Sequence, residues 1–362
     1  MRSRLLMLGV ALGAALAACT STPAGPAPPA APAKPAAATT IPTTVPPAGA
    51  PAAAPAASAP PGEVKVGLIG PQAGYWAIYA ADALGYFTRE NVVDDITYTR
   101  SPATSAQMLT TDDVNLTIGT ADTSALAVSK GAEFVLVAGA QADALFTLIA
   151  RPSVQTFDDL RGKRVAINNL RDGPTTMLRR LLRANGVPED AVELLAVGGT
   201  PERYTAVTSG AVEGAMLAQP QDLMAQANGM RRLGLATDVI AQWQNFSVVA
   251  NRPWAQAHAD LLVRWIRAHN AACAWLNDPA NRAEAVRILV DATQTPEPIA
   301  QATWALYFEE RAGRAIPPDG GISLDGLRAV LAVAEETGSF EGSPPPTVER
   351  LVDLTYWERA QR

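Results

Sequence analysis

The chain has 362 residues, 48% hydrophobic and 18% charged, with 29 basic against 35 acidic side chains. The charge is unevenly placed: residues 1–62 hold Arg2, Arg4 and Lys34 and no acid, so the 300 residues that follow carry 26 basic and 35 acidic side chains, a net −9. An acidic body without a basic run does not attract a phosphate backbone, which excludes nucleic acid as an expected partner; a body of this size buries roughly 75% of its unfolded surface, so the fold needs neither metal nor disulfide.

Two arginines in residues 1–5 precede an apolar run over 5–16, too short to cross a roughly 30 Å hydrocarbon core as a permanent helix. It reads as a signal peptide over 1–18. Leu16-Ala17-Ala18-Cys19 has the Leu-small-small-Cys form of a bacterial lipoprotein signal, in which small residues fit the peptidase and the Cys19 thiolate offers a nucleophile for acylation. The reading set against it is an ordinary secretory signal with an incidental cysteine. Lipidation would hold the protein on the membrane through two or three acyl chains, since one chain alone binds marginally. From Thr20 to Gly62 there are 13 prolines, 16 alanines and one charged side chain among 43 residues, which cannot build a core. With Cys19 at its head, the segment 19–62 reads as a disordered tether, extended at ~3.1 Å per residue to a reach of roughly 130 Å.

The pattern changes at residue 63. A β-branched run over 64–69 ends at Gly70-Pro71, and 75–84 has helical spacing closed by Gly85, a β-loop-α unit. A second strand is predicted over 96–98. Ser101-Pro102 then supplies an N-cap and a proline at the first helical position, opening a helix through Leu109. Strand 116–118 leads through Gly119-Thr120-Ala121-Asp122 into a helix to Ser129, and 134–138 is a further buried strand. Strands alternating with helices predict parallel pairing and an α/β class. A second alternation begins near Thr147: strand 165–168, helix 174–185 ended by Gly186, strand 192–196, helix 201–208, strand 214–218 and helix 220–228. The stretches before the strands at 116 and 214 echo each other 98 residues apart, each a helix end, a turn, a valine and a polar residue, which points to two lobes. After a strand at 246–250 the chain turns helical over 253–277, 280–292, 298–312, 324–337 and 348–360, a tail expected to pack over one lobe. Cys273, in an apolar helical stretch, reads as a small buried hydrophobe.

Ala83-Leu84-Gly85-Tyr86-Phe87, Asp159-Leu160-Arg161-Gly162-Lys163-Arg164-Val165, Gly210-Ala211-Val212-Glu213-Gly214-Ala215 and Gln219-Pro220, in that order, resemble the solute-binding proteins of ABC importers. The branch is similar to the nitrate/sulfonate/taurine/bicarbonate group, which shares its fold with the thiamine-pyrimidine-binding proteins, and the likeness covers residues 64–290. It implies an α/β, two-lobed, periplasmic-binding-protein-like (type II) fold with a helical C-terminal extension. Lobe I would run over 63–148, lobe II over 149–242, and a return to lobe I with the last helices over 243–362. The resemblance implies a binding protein rather than an enzyme, without cofactor or metal. It would capture a small organic or oxo-anionic solute (a sulfonate, nitrate, carboxylate or pyrimidine-like molecule) and deliver it to ABC permease subunits, from an extracytoplasmic place on the cell membrane, in a periplasm or at the outer face of the envelope. A monomer is expected. The chain departs from the family's Gly-x-Val-Asp turns at Asn115 and Glu213, and from a Gly-Ser-rich helix opening at residues 168–176, where Arg171 and Asp172 stand.

In such a fold the crevice lies beyond the carboxyl ends of parallel strands, where loops from both lobes converge. The loops are 70–76, 100–104, 119–122, 139–143, 168–176 and 219–221, and several end in helix N-termini whose free N–H groups would bind anions or carbonyl oxygens. Trp76, beside Tyr75 and Tyr79, reads either as a ring lying on the ligand or as the core of an amphipathic helix. Arg100 and Arg171 would each pair a carboxylate or sulfonate through two N–H bonds, or stay solvated. Thr120, Gln141 and Gln219 sit at strand ends, and Ser101, Asn168, Thr175 and Thr176 offer polar groups at helix starts. Asp122 reads as a helix cap rather than a ligand contact. Catalytic patterns are weak. His258 and His269 lie on one predicted helix about 16 Å apart along its axis and cannot share a metal, and no Cys/His cluster, Gly-rich phosphate loop or nucleophile elbow occurs. Trp254, Trp265 and Trp275 read as packing residues. Two other readings remain open: an enzyme on the same fold, of the pyrimidine-synthesis or menaquinone-pathway kind, and a ligand-binding sensory lipoprotein.

Overall fold

The computed structural model describes residues 60–362. The expected signal peptide, the lipidation at Cys19 and nearly all of the tether lie outside the described residues. In chain order the first elements are β1 (Gly62–Leu68), α1 (Trp76–Ala83), α2 (Tyr86–Arg89), β2 (Val92–Tyr98), α3 (Pro102–Thr110), β3 (Leu116–Thr120), α4 (Ala121–Ser129) and β4 (Phe134–Gln141). Then come β5 (Phe146–Ala150), β6 (Arg164–Ile167), α5 (Gly173–Ala184), β7 (Glu193–Ala196), α6 (Thr200–Ser209), β8 (Gly214–Ala218), α7 (Gln221–Ala227), β9 (Arg231–Leu235) and β10 (Phe246–Asn251). The tail holds α8 (Arg252–Ala257), α9 (Ala259–Leu276), α10 (Arg282–Thr293), α11 (Glu297–Trp304), α12 (Leu324–Glu336), α13 (Val348–Leu351) and α14 (Thr355–Ala360).

Local chemistry sets the boundaries. Ser101 Oγ accepts from Thr104 N at 3.1 Å and Pro102 opens α3. Gly210, at φ 82°, ends α6 in the left-handed conformation that a Cβ would strain. Polar edges carry weaker signals. β2 begins at Val92, four residues before the strand predicted over 96–98, and β9 contains two exposed arginines, because edge strands tolerate charge.

The strands form two five-stranded sheets of matching order, β2-β1-β3-β10-β4 and β7-β6-β8-β5-β9. β1 runs parallel to β2 and β3, and β6 parallel to β7 and β8. β10 is antiparallel to β3 and β4, and β5 to β8 and β9, so the expectation of parallel pairing fails at these two strands. Connectivity is the reason. The chain enters the second sheet between β4 and β5 and returns between β9 and β10, and neither link carries the long helical crossover that brings a strand back parallel.

The sequence echo has a structural counterpart. Asn115 Oδ1 accepts from Lys65 N at 3.0 Å, and Glu213 Oε2 accepts from Arg164 N at 3.1 Å. The two main chains return the favour at equal places, with Asn115 N donating to Lys65 O and Glu213 N to Arg164 O. Each residue thus ties the turn before β3 or β8 to the adjacent strand of its own sheet, which is why amide and carboxylate serve alike.

The tail does not stay on one lobe. α9 packs on α1 and α2 and carries α14, over the first sheet, whereas α12 lies against both α4 and α5, and α11 reaches α7. Leu327 and Val330 of α12 share one apolar cluster with Leu136 of β4 and Val165 of β6, so this helix plugs a core common to both sheets. The single helices predicted over 253–277 and 348–360 are each broken, at His258 and at Val352, and that over 298–312 becomes π-helical over Ala305–Glu310. Cys273 is buried and free, with burial raising its thiol well above the usual range. Among the described residues no helix is long and apolar enough to cross a membrane.

Candidate functional site

A cavity of about 440 Å³ opens between the two sheets. The first sheet contributes residues 69–72 after β1, Tyr98 and Arg100 after β2, and Thr120, Asp122 and Thr123 at the junction of β3 and α4. From the second come Asn168, Asp172 and Pro174 after β6, residues 199–203 at the start of α6, and Gln221 of α7. Phe246 and Phe146, the first residues of the antiparallel strands β10 and β5, occupy matching places in the two sheets and give the cavity two buried rings. The geometry follows from the topology: parallel strands end at the crevice, and the strand inserted against them begins there.

Three of the residues singled out in the sequence line this space: Arg100, Thr120 and Asn168. Arg100 holds a left-handed φ of 68° and its side chain is exposed at the rim. Thr120 Oγ1 donates to Thr123 Oγ1 at 2.9 Å, and Asn168 Nδ2 donates to Asp172 Oδ2 at 2.8 Å.

The others are placed elsewhere, each for a stated reason. Trp76 is fully buried, its indole N–H donating to Ala285 O at 3.0 Å and its ring set edge-on to Trp304 and Phe308, which places it in the core and away from the cavity. Tyr75 lies behind the wall, with its ring centroid 5.2 Å from that of Phe246 and its hydroxyl accepting from Ile69 N. Ser101 is engaged in capping α3. Gln141 is buried, accepting from Asn245 Nδ2 and donating to Asp143 O. Arg171 points outward and pairs with Glu341 at 3.3 Å. Thr175 and Thr176 turn their hydroxyls back to Asn169 O and Asp172 O inside the first turn of α5. Gln219 donates to Asp222 Oδ2 at 2.9 Å beneath the cavity.

The acidic lining is what sequence reasoning missed. Asp122, in the first turn of α4 rather than at its N-cap, accepts from Thr123 N at 2.7 Å, and its other oxygen accepts from Gly173 N of the opposite lobe, also at 2.7 Å. Asp172 accepts from Thr175 N, Asn168 Nδ2 and Asn169 N, and burial followed by the nearby Asp122 raises its carboxyl above the ordinary range. Arg203 is buried and donates to Met216 O at 2.7 Å, to Thr200 Oγ1 at 3.0 Å and to Gly198 O. Burial lowers its guanidinium to about 10, against the opposing pull of Asp172 and Glu202. The signal for Asp122 and Asp172 was present as helix capping. For Arg203 none existed, because an arginine inside a helix ordinarily faces water. A second main-chain bond, Ala73 N to Gln219 O at 3.3 Å, also crosses between the lobes.

Two sheets of matching order that share one cavity define a two-lobed α/β protein of the periplasmic-binding-protein fold. The same fold occurs in the ligand binding component of an ABC-type import system from Staphylococcus aureus with zinc bound, at TM-score 0.71 and 12% identity over 83% of this chain and 99% of that one. It occurs in the periplasmic nitrate-binding protein NrtA from Synechocystis PCC 6803, at 0.70 and 12% over 83% and 88%. The alkanesulfonate-binding protein SsuA from Xanthomonas axonopodis pv. citri, bound to MOPS, matches at 0.67 and 17% over 82% and 100%. A family model described as NMT1/THI5 like matches residues 72–282, and the chain belongs to that family. A search of curated protein sequences found no match.

Proposed function

We propose that the protein is the extracytoplasmic solute-binding component of an ABC importer, whose two lobes close over a small organic solute and present it to a membrane permease. The observation that carries this reading is the cavity of about 440 Å³ walled by both sheets, a volume suited to a small molecule. Bonds that join the two lobes, between Asp122 and Gly173 and between Ala73 and Gln219, are of the kind that form only when lobes approach. A solute touching both lobes binds the closed form better than the open one and shifts the population toward it. The names of the structural neighbours support the same role. Among the described residues no group of three His, Cys, Asp or Glu is placed to hold a metal. Leu16-Ala17-Ala18-Cys19 and the Pro/Ala-rich stretch after it support lipid anchoring at Cys19, which would keep a low-affinity encounter with the permease at high local concentration.

Native mass spectrometry of freshly purified protein, followed by small-angle scattering with and without the solute found, tests the reading. A bound small molecule whose removal expands the particle is the expected result. A protein that carries none, and that no solute library compacts or stabilises, would contradict it.

A further inference from the structure

We infer that Asp143 and Arg314 are positioning residues that set how readily the two lobes close, because together they tie both links between the sheets to one segment of the tail. This goes beyond the binding-protein reading but rests on it, since it concerns the closure that reading requires. The links are residues 142–145, between β4 and β5, and 236–245, between β9 and β10, and a bend that opens or closes the crevice has to be taken up in them. Asp143 stands in the first link with its carboxylate almost wholly buried, a place where a charge needs partners. Both partners come from the turn that follows the π-helical stretch Ala305–Glu310. Arg311 Nε donates to Asp143 Oδ2 at 2.7 Å, and Arg314 Nη2 donates to Asp143 Oδ1 at 3.4 Å. The same Arg314 nitrogen donates to Ala241 O, in the second link, at 2.8 Å. One guanidinium thus bridges the two links.

The segment that carries these arginines is fixed to the first lobe and reaches the second. Ala315 and Ile316 are buried in the apolar cluster that β1, α1 and α9 share. Ala315 O accepts from Ala142 N at 3.0 Å, and Ile316 O accepts from Asn277 Nδ2, at the end of α9, also at 3.0 Å. Further on, Ser323 N donates to Gln244 Oε1 at 2.8 Å, so each link meets the segment twice. On its other side, the Tyr307 hydroxyl of the π-helical stretch donates to Gln219 Oε1 at 3.5 Å, and Gln219 O takes the bond from Ala73 N that joins the lobes. The bonds that fix the links and a bond that forms only when lobes approach are therefore connected through one piece of chain. All of them are made with the lobes approached, so loss of the Arg314 bridge weakens that arrangement against one in which the links have turned. Arg314 does not line the cavity, and a change there reaches a solute only through closure.

Hydrogen exchange of the solute-free full chain tests the inference at the amides of Ala73 and Gly173, whose bonds join the lobes. Arg314→Gln, at a side chain half exposed to solvent, is expected to speed both by at least about fivefold and to leave the amides within β1 and β6 as they are. Arg314→Lys, whose ammonium keeps the charge but not the fork that reaches two acceptors, should fall between. Arg287→Gln, which removes two exposed ion pairs on α10, should change neither amide. Unchanged exchange at Ala73 and Gly173 in Arg314→Gln would overturn the inference. Acceleration of β1 and β6 by the same factor would overturn it too, as the mark of a residue that only holds the fold. The binding-protein reading is judged apart, on the wild-type chain: if the solute found by mass spectrometry compacts it, that reading stands whatever Arg314 does, and if no solute does, both fall.

Discussion

Asp122 stands where a helix begins, and a cap is what its position in the sequence announces. The bond that matters most for the site, from its second oxygen to Gly173 N, joins residues 51 apart and is legible in neither helix alone. Arg203 hides for the same reason: its partners Met216 and Gly198 lie on a strand and a loop that only the folded chain brings to it. Trp76 is ambiguous in the sequence because Trp76–Ala81 is apolar on every side, and a helical stretch without a polar face is buried all round. One carboxyl outside the cavity carries a pH dependence. Asp94, on β2, accepts from Trp265 Nε1 at 2.7 Å while its Oδ2 is buried with no partner. Burial, with repulsion from Asp82 and Asp95 added and the Trp265 bond opposing, pushes this carboxyl up to about 7. The folded state thus keeps a proton that the unfolded chain releases near pH 4, so the group's contribution is full below about pH 4 and is lost as pH rises through about 7. Asp94→Asn is expected to stabilise the protein at pH 8 by roughly 1–2 kcal/mol, discounted because the side chain keeps some exposure, and to change little at pH 4. Denaturant unfolding at the two pH values checks this, and equal shifts at both would refute it.

At the scale of elements, what the sequence announced were the alternating units with a capped or proline-led helix and an apolar strand, such as β3 into α4. The edge strand β9, the first residues of β2 and the two links between sheets were not announced, since their partners are remote and their residues half polar. The tail shows the consequence. Its apolar faces say that the helices pack, but not that α12 would span both sheets. That placement explains a residue that is otherwise out of place, Gly326 inside α12, where alanine would be the better helix former by about 1 kcal/mol. A Cβ at Gly326 would lie 2.5 Å from the carbonyl carbon and oxygen of Trp243, in the link between β9 and β10. Main-chain atoms cannot swing aside as a flexible side chain can, so the clash outweighs the gain in propensity. Gly326→Ala should therefore destabilise by about 1–3 kcal/mol net, read as a lower midpoint in denaturant. A raised midpoint would mean that the link yields freely.

For the whole molecule, two lobes that close on a solute make a prediction about protection as well as shape. The amides of Gly173 and Ala73 donate from one lobe to the other, whereas those within β1 and β6 belong to one sheet each. Solute binding should slow hydrogen exchange at the first pair and leave the second nearly unchanged, and uniform protection throughout would indicate global stabilisation without closure. The charge that excluded nucleic acid from the start bears on the solute too. With 26 basic and 35 acidic side chains over residues 63–362, the body presents a net −9 to anything that approaches. An anionic solute would have to enter against that field and be held at the cavity by local dipoles and by Arg100.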